Sequence, residues 1–529
     1  MRPLTLRLSP YPGEVPVGCL EVLSSVLLRA ARRSPARTQP SRAEVPRVGP
    51  RPTPERRHLA HRAFACGAGL FALSAVVITL LFFDFGVRVL ASNDETRFPV
   101  LARDILANGH WFSPRLGDVP YLNKPPLFAW LVAVAAGPGG EVSQSSALWP
   151  SLIAALGVSL ATSWIGWRLW GRAAGLAAGF IVVTTGGVFT MARAPMPDMT
   201  MCLFLTAALA AFVGAEFDDR RVFLIGFYIL LGLGFWTKGP VALLGLGVVV
   251  VFAAWTGGWP AIRRLAFSRG VLLVALLIAP WFMLTMRTAS DQFWRDTVAT
   301  DWLTWYVPFA PWRGRALVEP LAQTLAILLP WSPLLAFAGV AALATDARRP
   351  GRKVVFLLVW AGVMFLFVAI GKEQRMRYYL PLCPPAALLI AAWYQRVNIP
   401  HRKVLSIATA ALVAVGIVLW QLNDDARHNA RTDLSALGPE TVKLEAPLYA
   451  ADVPDLVLTF YLGRPVIPVR TLSTPAAPGR RLEHGYLAVA NRLLPQWSTT
   501  CPAPAIGAGM VNGLRFSVLR LEPPGCPAP

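Results

Sequence analysis

Apolar residues run in blocks along this chain and rarely alternate. From Phe64 to Phe83 the sequence reads "FACGAGLFALSAVVITLLFF", and comparable runs recur near 146–168, 173–191, 199–216, 222–237, 240–256, 271–286, 316–344, 354–370, 380–395 and 404–422. A helix of about 20 apolar residues crosses a hydrocarbon core of roughly 30 Å with every backbone hydrogen bond made internally. The pattern therefore predicts about eleven transmembrane helices. Two runs read two ways: 316–344 carries Pro330 and forms either a kinked span or a re-entrant pair, and "PPLFAWLVAVAAG" (125–137) is short enough to lie along the interface. No small-residue cleavage site follows the first run, so it is expected to remain as a span.

Basic residues between the runs set the orientation, because short cytoplasmic loops accumulate Lys and Arg. With the N-terminus inside and 125–137 interfacial, the inner loops hold Arg168 and Arg172, Arg220 and Arg221, Arg263 to Arg269, Arg348 to Lys353, and Arg396 to Lys403. Making 125–137 a full span would put all of them outside. This topology divides the chain into a basic cytoplasmic arm (1–62), a transmembrane domain (63–423) with a long external loop (84–145), and a polar external tail (424–529). Short apolar pieces in the tail, "DLVLTFYLGRPVIPV" and "GLRFSVLRLE", read as strands between turns and predict a small α/β domain.

Composition agrees with a chain solvated largely by lipid: 55% of residues are hydrophobic, 15% are charged, and Trp and Phe number 19 and 27. The net charge of +21 owes part of its size to residues 1–62, an Arg- and Pro-rich stretch without helical or strand periodicity. That arm reads either as disordered and in touch with anionic lipid or as a start codon placed too far upstream. Six Cys show no metal-binding spacing; Cys202 and Cys383 read as packing within spans, and Cys501 and Cys526 in the tail leave a disulfide open. Neither a phosphate-binding Walker sequence nor a GxGxxG after a strand occurs, so ATP-driven transport and NAD chemistry have no support.

Against this background the charged stretch Asp94–Leu127, "DETRFPVLARDILANGHWFSPRLGDVPYLNKPPL", stands out. It sits in an external loop of about 60 residues, far longer than an ordinary connection. Phe98, Leu101, Ala102, Ile105 and Leu106 repeat at helical spacing and predict a helix lying on the membrane surface, with Arg97, Arg103 and Asp104 off its apolar face. Asp94 and Glu95 fall at its N-terminal end, where carboxylates are favoured by the helix dipole. Asp94 is then either an N-cap or a general base at the mouth of a membrane cavity. Tyr121 and Lys124 precede a Pro pair that starts the next interfacial helix.

Three more polar insertions trace to the same face: "ARAPMPDMT" with Asp198, "FWTKGP" with Lys238, and "GKEQRMRYYLPLCPP" with Lys372, Arg375, Arg377, Tyr378 and Tyr379. Taken singly, Asp198 reads equally as a cap, and Lys124 and Lys238 as lysines snorkelling to the interface. Together they set carboxylates beside cations at membrane depth, where charge is costly and marks a site or pathway. A sugar carried on a lipid phosphate needs such an arrangement: cations for the phosphate and a base for the attacking hydroxyl.

The order Asp-Glu-x-Arg-Phe, Ala-Arg, Gly-x-Trp, Tyr-x-x-Lys-Pro-Pro-Leu resembles the first external loop of the lipid A aminoarabinose transferases. These belong with the protein O-mannosyltransferases among the GT-C membrane glycosyltransferases that use polyprenyl-phosphate sugars. "PMPDMT", "TKGP", "LLPWSP", "RYYLPLCPPAALL" and "FYLGRPV" follow in the family's order, so the resemblance covers roughly 64–470. It implies an all-α polytopic GT-C fold with interfacial helices in the first loop, a small α/β C-terminal domain, and an active site on the periplasmic side of a bacterial inner membrane. It implies an inverting transfer to lipid A, another glycolipid or protein, with no nucleic acid partner. Asp94 would be the base, with Glu95 and Asp198 as further catalytic carboxylates; Lys124 and Arg377 would hold the donor phosphate, and Arg97, Tyr121, Lys238, Arg375 and Tyr379 would line the substrate cavity. Asn123 stands where relatives often have an acid before Lys-Pro-Pro, and "FWRDTVATDWLTWY" lacks the usual Glu-His pair, so the ligands of a relative's divalent metal are not all present. A flippase of lipid-linked sugars would need similar cations, but no internal repeat of the transporter kind occurs.

Overall fold

The computed structural model describes residues 71–303 (apart from 72 and 138), 318–344, 351–397 (apart from 372–373), 402–435, 437, 446–470, 481–482, 484–500, 502–522 and 526–527. Residues 1–62, Lys372 and Cys501 lie outside this set.

Among the described residues six helices are long and apolar enough to cross a membrane, or eight if each of two bent pairs is one span. The stretch counted as one 42-residue helix, Phe223–Arg264, would be ~63 Å long if straight. It is not straight. At Lys238 and Gly239 the backbone leaves helical geometry, Gly239 taking φ 78°. Beyond that break the chain folds back: a Cβ added to Gly245 would lie 2.7 Å from Leu231, and one added to Gly234 2.8 Å from Ala242. Lys238 thus sits at the tip of a helical hairpin. The run 173–191 breaks into Arg172–Val183 and Gly186–Ala192, bent by 62°, and the run around Pro330 into Val318–Ile327 and Ser332–Ala338, bent by 107°. Proline cannot donate the next helical hydrogen bond, which accounts for the second break.

The stretch 84–145 holds the helix that its spacing predicts. Asn93–Asn108 is a helix capped by the Ser92 hydroxyl, which accepts from the Glu95 N–H, and closed by Gly109 in the left-handed region. It buries Phe98, Leu101, Ala102 and Ile105. The following helix, Leu127–Ala136, rises only ~15 Å, too little to span. Aromatic rings pack beside it: Trp130 lies 5.3 Å from Phe112 and 5.2 Å from Trp236, two residues before the Lys238 turn. On the far side of the loop, Arg193 donates to the carbonyls of Phe83 (2.7 Å) and Asp84 (2.8 Å) and pairs with Asp425 at 3.3 Å, tying the first apolar helix to the long helix Arg402–Ala430.

The tail holds a five-stranded sheet. Its strands are β1 (Leu448–Ala451), β2 (Val466–Arg470), β3 (Gly485–Ala490), β4 (Ala505–Val511) and β5 (Leu514–Leu521), ordered β2-β1-β3-β5-β4. β1 runs parallel to β2 and β3, and β5 is antiparallel to β3 and β4. Asn512 and Gly513, both at positive φ, make the two-residue turn between β4 and β5, the turn whose twist matches the strands it joins. One expectation fails here. "DLVLTFYL" is not a strand but the helix Asp455–Leu462, started after Pro454, ended by Gly463 at φ 68°, and burying Val457, Leu458 and Phe460. A short apolar run is compatible with either period, and the left-handed glycine decides it.

Candidate functional site

Five separate segments meet over one cavity lined by Asp94, Arg97, Phe98, Tyr121, Lys124, Met196, Pro197, Asp198, Lys238, Arg377 and Tyr378. Asp94 comes from the first turn of the Asn93–Asn108 helix and Arg97 from the start of the second. Tyr121 and Lys124 precede the Pro pair. Asp198 occupies the first turn of Pro197–Phe217, Lys238 the hairpin tip, and Arg377 and Tyr378 the short 3₁₀ helix Met376–Leu382.

Asp94 is the electrostatic centre. Its Oδ2 accepts from Arg377 Nη2 at 2.9 Å and from Arg375 Nη1 at 3.3 Å, while Oδ1 accepts from Arg97 Nη1 at 3.0 Å. Partial burial pushes the Asp94 carboxyl up, but Arg377, Arg97 and Arg375 together outweigh it and hold the group below the usual carboxylate range. Deeper in, Lys238 donates to Asp198, and both side chains are nearly inaccessible, at 10% and 5% exposed. The ammonium of Lys238 also lies 4.7 Å from the Tyr378 ring, and the guanidinium of Arg377 5.6 Å from the same ring on its way to Asp94. Lys124 reaches the Asn123 carbonyl at 3.3 Å, and Arg97 stands 5.8 Å over Tyr121.

Two predicted site residues face elsewhere. Glu95 pairs with Arg88 and accepts from the Ala91 N–H (3.2 Å) and the Ser92 hydroxyl (3.1 Å), so it is buried on the far side of its helix. One residue along an α-helix is a rotation of ~100°, which separates it from Asp94. Tyr379 is fully buried, its hydroxyl donating to Gln374, and Tyr378 takes the cavity wall instead, one residue in a 3₁₀ helix being ~120°. Arg375 touches Asp94 without lining the cavity. Met196 and Pro197, which also line it, carry no chemical signal in the sequence.

Among the described residues no group of three or more His, Cys, Asp or Glu could hold a metal ion. Both cavity carboxylates are engaged by cations already, so the donor set does not fit a divalent metal.

The model of the dolichyl-phosphate-mannose-protein mannosyltransferase family matches residues 123–284. The chain is 29% identical over 387 residues to the undecaprenyl phosphate-alpha-4-amino-4-deoxy-L-arabinose arabinosyl transferase of Pectobacterium carotovorum, covering 67% of each chain. It is 30% identical over 345 residues to the first such transferase of Sodalis glossinidius, covering 62% of this chain and 59% of that one. The match thus spans about two thirds of these relatives or less. In three dimensions it is similar to ArnT from Cupriavidus metallidurans bound to undecaprenyl phosphate, with a TM-score of 0.71 at 19% identity, covering 85% of this chain and 97% of that one. The archaeal oligosaccharyltransferase AglB from Archaeoglobus fulgidus follows at TM-score 0.55 and 11% identity, covering 82% and 70%. The fold is therefore that of these membrane enzymes.

Proposed function

We propose that this chain, a membrane glycosyltransferase of the aminoarabinose transferase and protein mannosyltransferase type, moves a glycosyl group from a polyprenyl phosphate to an acceptor hydroxyl or phosphate at the outer face of a bacterial inner membrane. The observation that carries the reading is the meeting of Asp94, Lys124, Asp198, Lys238 and Arg377 over one cavity.

In a single displacement the acceptor oxygen attacks the anomeric carbon from the face opposite the phosphate, and configuration inverts. The bond from that carbon to the phosphate oxygen breaks, its electron pair leaving with polyprenyl phosphate. Lys124 and Arg377 stabilise the charge gathering on that leaving group. A hydroxyl acceptor gives its proton to Asp94, whereas an ionised phosphate acceptor has none to give. Asp198 accepts from Lys238 and holds it in place in the cavity wall. No step is assigned to a metal. Release of free polyprenyl phosphate from a labelled donor in proteoliposomes is the direct test; a chain that moves the intact donor across the bilayer without releasing it would be a flippase, a reading these relatives do not favour.

Charge-assisted hydrogen bonds contribute about 1.5–3 kcal/mol each, so Lys124→Ala and Arg377→Ala should each weaken polyprenyl phosphate binding about 10- to 100-fold. Isothermal titration with polyprenyl phosphate checks this, and unchanged affinity in both variants removes the phosphate site.

The three arginines also predict a pH signature. In the free protein Asp94 is held below its ordinary value by the three arginines, so the limb it imposes on kcat/KM lies on the acid side of an ordinary carboxylate's. A bound donor phosphate competes for Arg377 and Arg375 and adds negative charge beside Asp94, which raises its pKa. The acid limb of kcat, which reports the bound complex, is therefore expected at higher pH than that of kcat/KM. Coincident limbs would contradict the competition.

A further inference from the structure

The reach of the tail into the membrane-surface loop gives the tail a task. Asn93 opens the helix that carries Asp94, and its side chain makes a reciprocal pair with the tail helix Asp455–Leu462. Asn93 Nδ2 donates to Asp455 Oδ1 at 2.8 Å, while Asn93 Oδ1 accepts from the Leu456 N–H at 3.1 Å. Ten residues further along the same helix, Arg103 donates to the carbonyl of Phe460 at 2.5 Å and stands 4.4 Å over its ring. Phe460 is buried in one cluster with Phe98, Leu101 and Ala102, the apolar face of the Asp94 helix. Two polar clamps almost three turns apart, with an apolar contact between them, fix both the slide and the roll of that helix against the tail.

Roll decides which side chain faces the cavity. Glu95, a neighbour of Asp94, already points away, so a modest rotation would withdraw Asp94 from Arg377. We infer that the Asp455–Leu462 helix sets the position of Asp94, with Asn93 and Asp455 as positioning residues that touch neither donor nor acceptor. This rests on Asp94 acting in the transfer, and it makes the extramembrane domain part of the catalytic apparatus through contacts that lie 362 residues apart in the chain.

An amide facing a carboxylate can be exchanged for a carboxylate facing an amide with the hydrogen bonds kept, and that symmetry supplies the test. In the full-length protein in nanodiscs, Asn93→Asp alone sets two carboxylates against each other. Misplacement of a reacting group by about 1 Å costs roughly 100-fold, so kcat should fall about 10- to 100-fold with the KM for donor changed by no more than about twofold. Adding Asp455→Asn to that variant re-forms the pair and should return kcat to within about threefold of the original. Because residue 93 is identical in the single and the double variant, a local charge effect on Asp94 would not be rescued. Polyprenyl phosphate binding, measured on each variant, is expected to persist and shows that the protein is folded. Wild-type kcat in Asn93→Asp, a double variant no better than the single, or a loss confined to KM would each overturn the positioning role. An unmodified chain that releases no polyprenyl phosphate would overturn the transferase reading and this inference with it.

Discussion

Asp94→Asn should lower transfer to a hydroxyl acceptor by about 10²- to 10⁴-fold, the range a positioned general base contributes. The amide has nearly the shape of the carboxylate and its oxygen still accepts from Arg377, so the helix stays where it is. What disappears is the negative charge and the lone pair able to take a proton. Polyprenyl phosphate should still bind, and somewhat more tightly, because the three arginines around residue 94 no longer share their charge with a carboxylate. Labelled-sugar transfer and lipid binding measured on one preparation separate these effects. A variant that transfers at the original rate would remove Asp94 as the base.

The second large effect concerns stability. Asp198 and Lys238 are buried together, and removing one partner of such a pair leaves an uncompensated charge costing about 3–5 kcal/mol. Asp198→Ala is therefore expected to lower the unfolding temperature of the detergent-solubilised protein markedly, the more so because Arg377 lies near the stranded ammonium. The double variant Asp198→Leu with Lys238→Met replaces the pair by apolar groups, a change that is often neutral or stabilising. It should recover the unfolding temperature while transfer stays lost. Equal unfolding temperatures for Asp198→Ala and the original would mean that the ion pair contributes nothing to holding the Pro197–Phe217 helix against the hairpin tip.

Much of the site could be read before the fold was known, because membrane topology is a strong constraint on which loops share a face. Asp94, Lys124, Asp198, Lys238 and Arg377 each lie 30 or more residues from the next, yet the expected topology puts each at an end of an apolar run on the same side, and ends on one side must share one surface. Periodicity located the Asn93–Asn108 helix and its buried face for the same kind of reason, since only one face of such a helix can be apolar. It could not choose between neighbours. Asp94 faces the cavity and Glu95 does not, Tyr378 faces it and Tyr379 does not, and these differences rest on rotation about a helix axis.

The sequence by itself determined a largely apolar helical chain and the residue types that gather at the ends of its apolar runs, because burying about 20 apolar residues in hydrocarbon leaves the intervening charges few places to go. Tertiary structure alone decided which of two neighbouring side chains faces the cavity, the helical state of Asp455–Leu462 and the clamp it closes on Asn93. The clamp depends on contacts 362 residues apart in the chain, rotation about a helix axis separates neighbours that hydropathy treats alike, and a short apolar run is compatible with either period until its end is fixed.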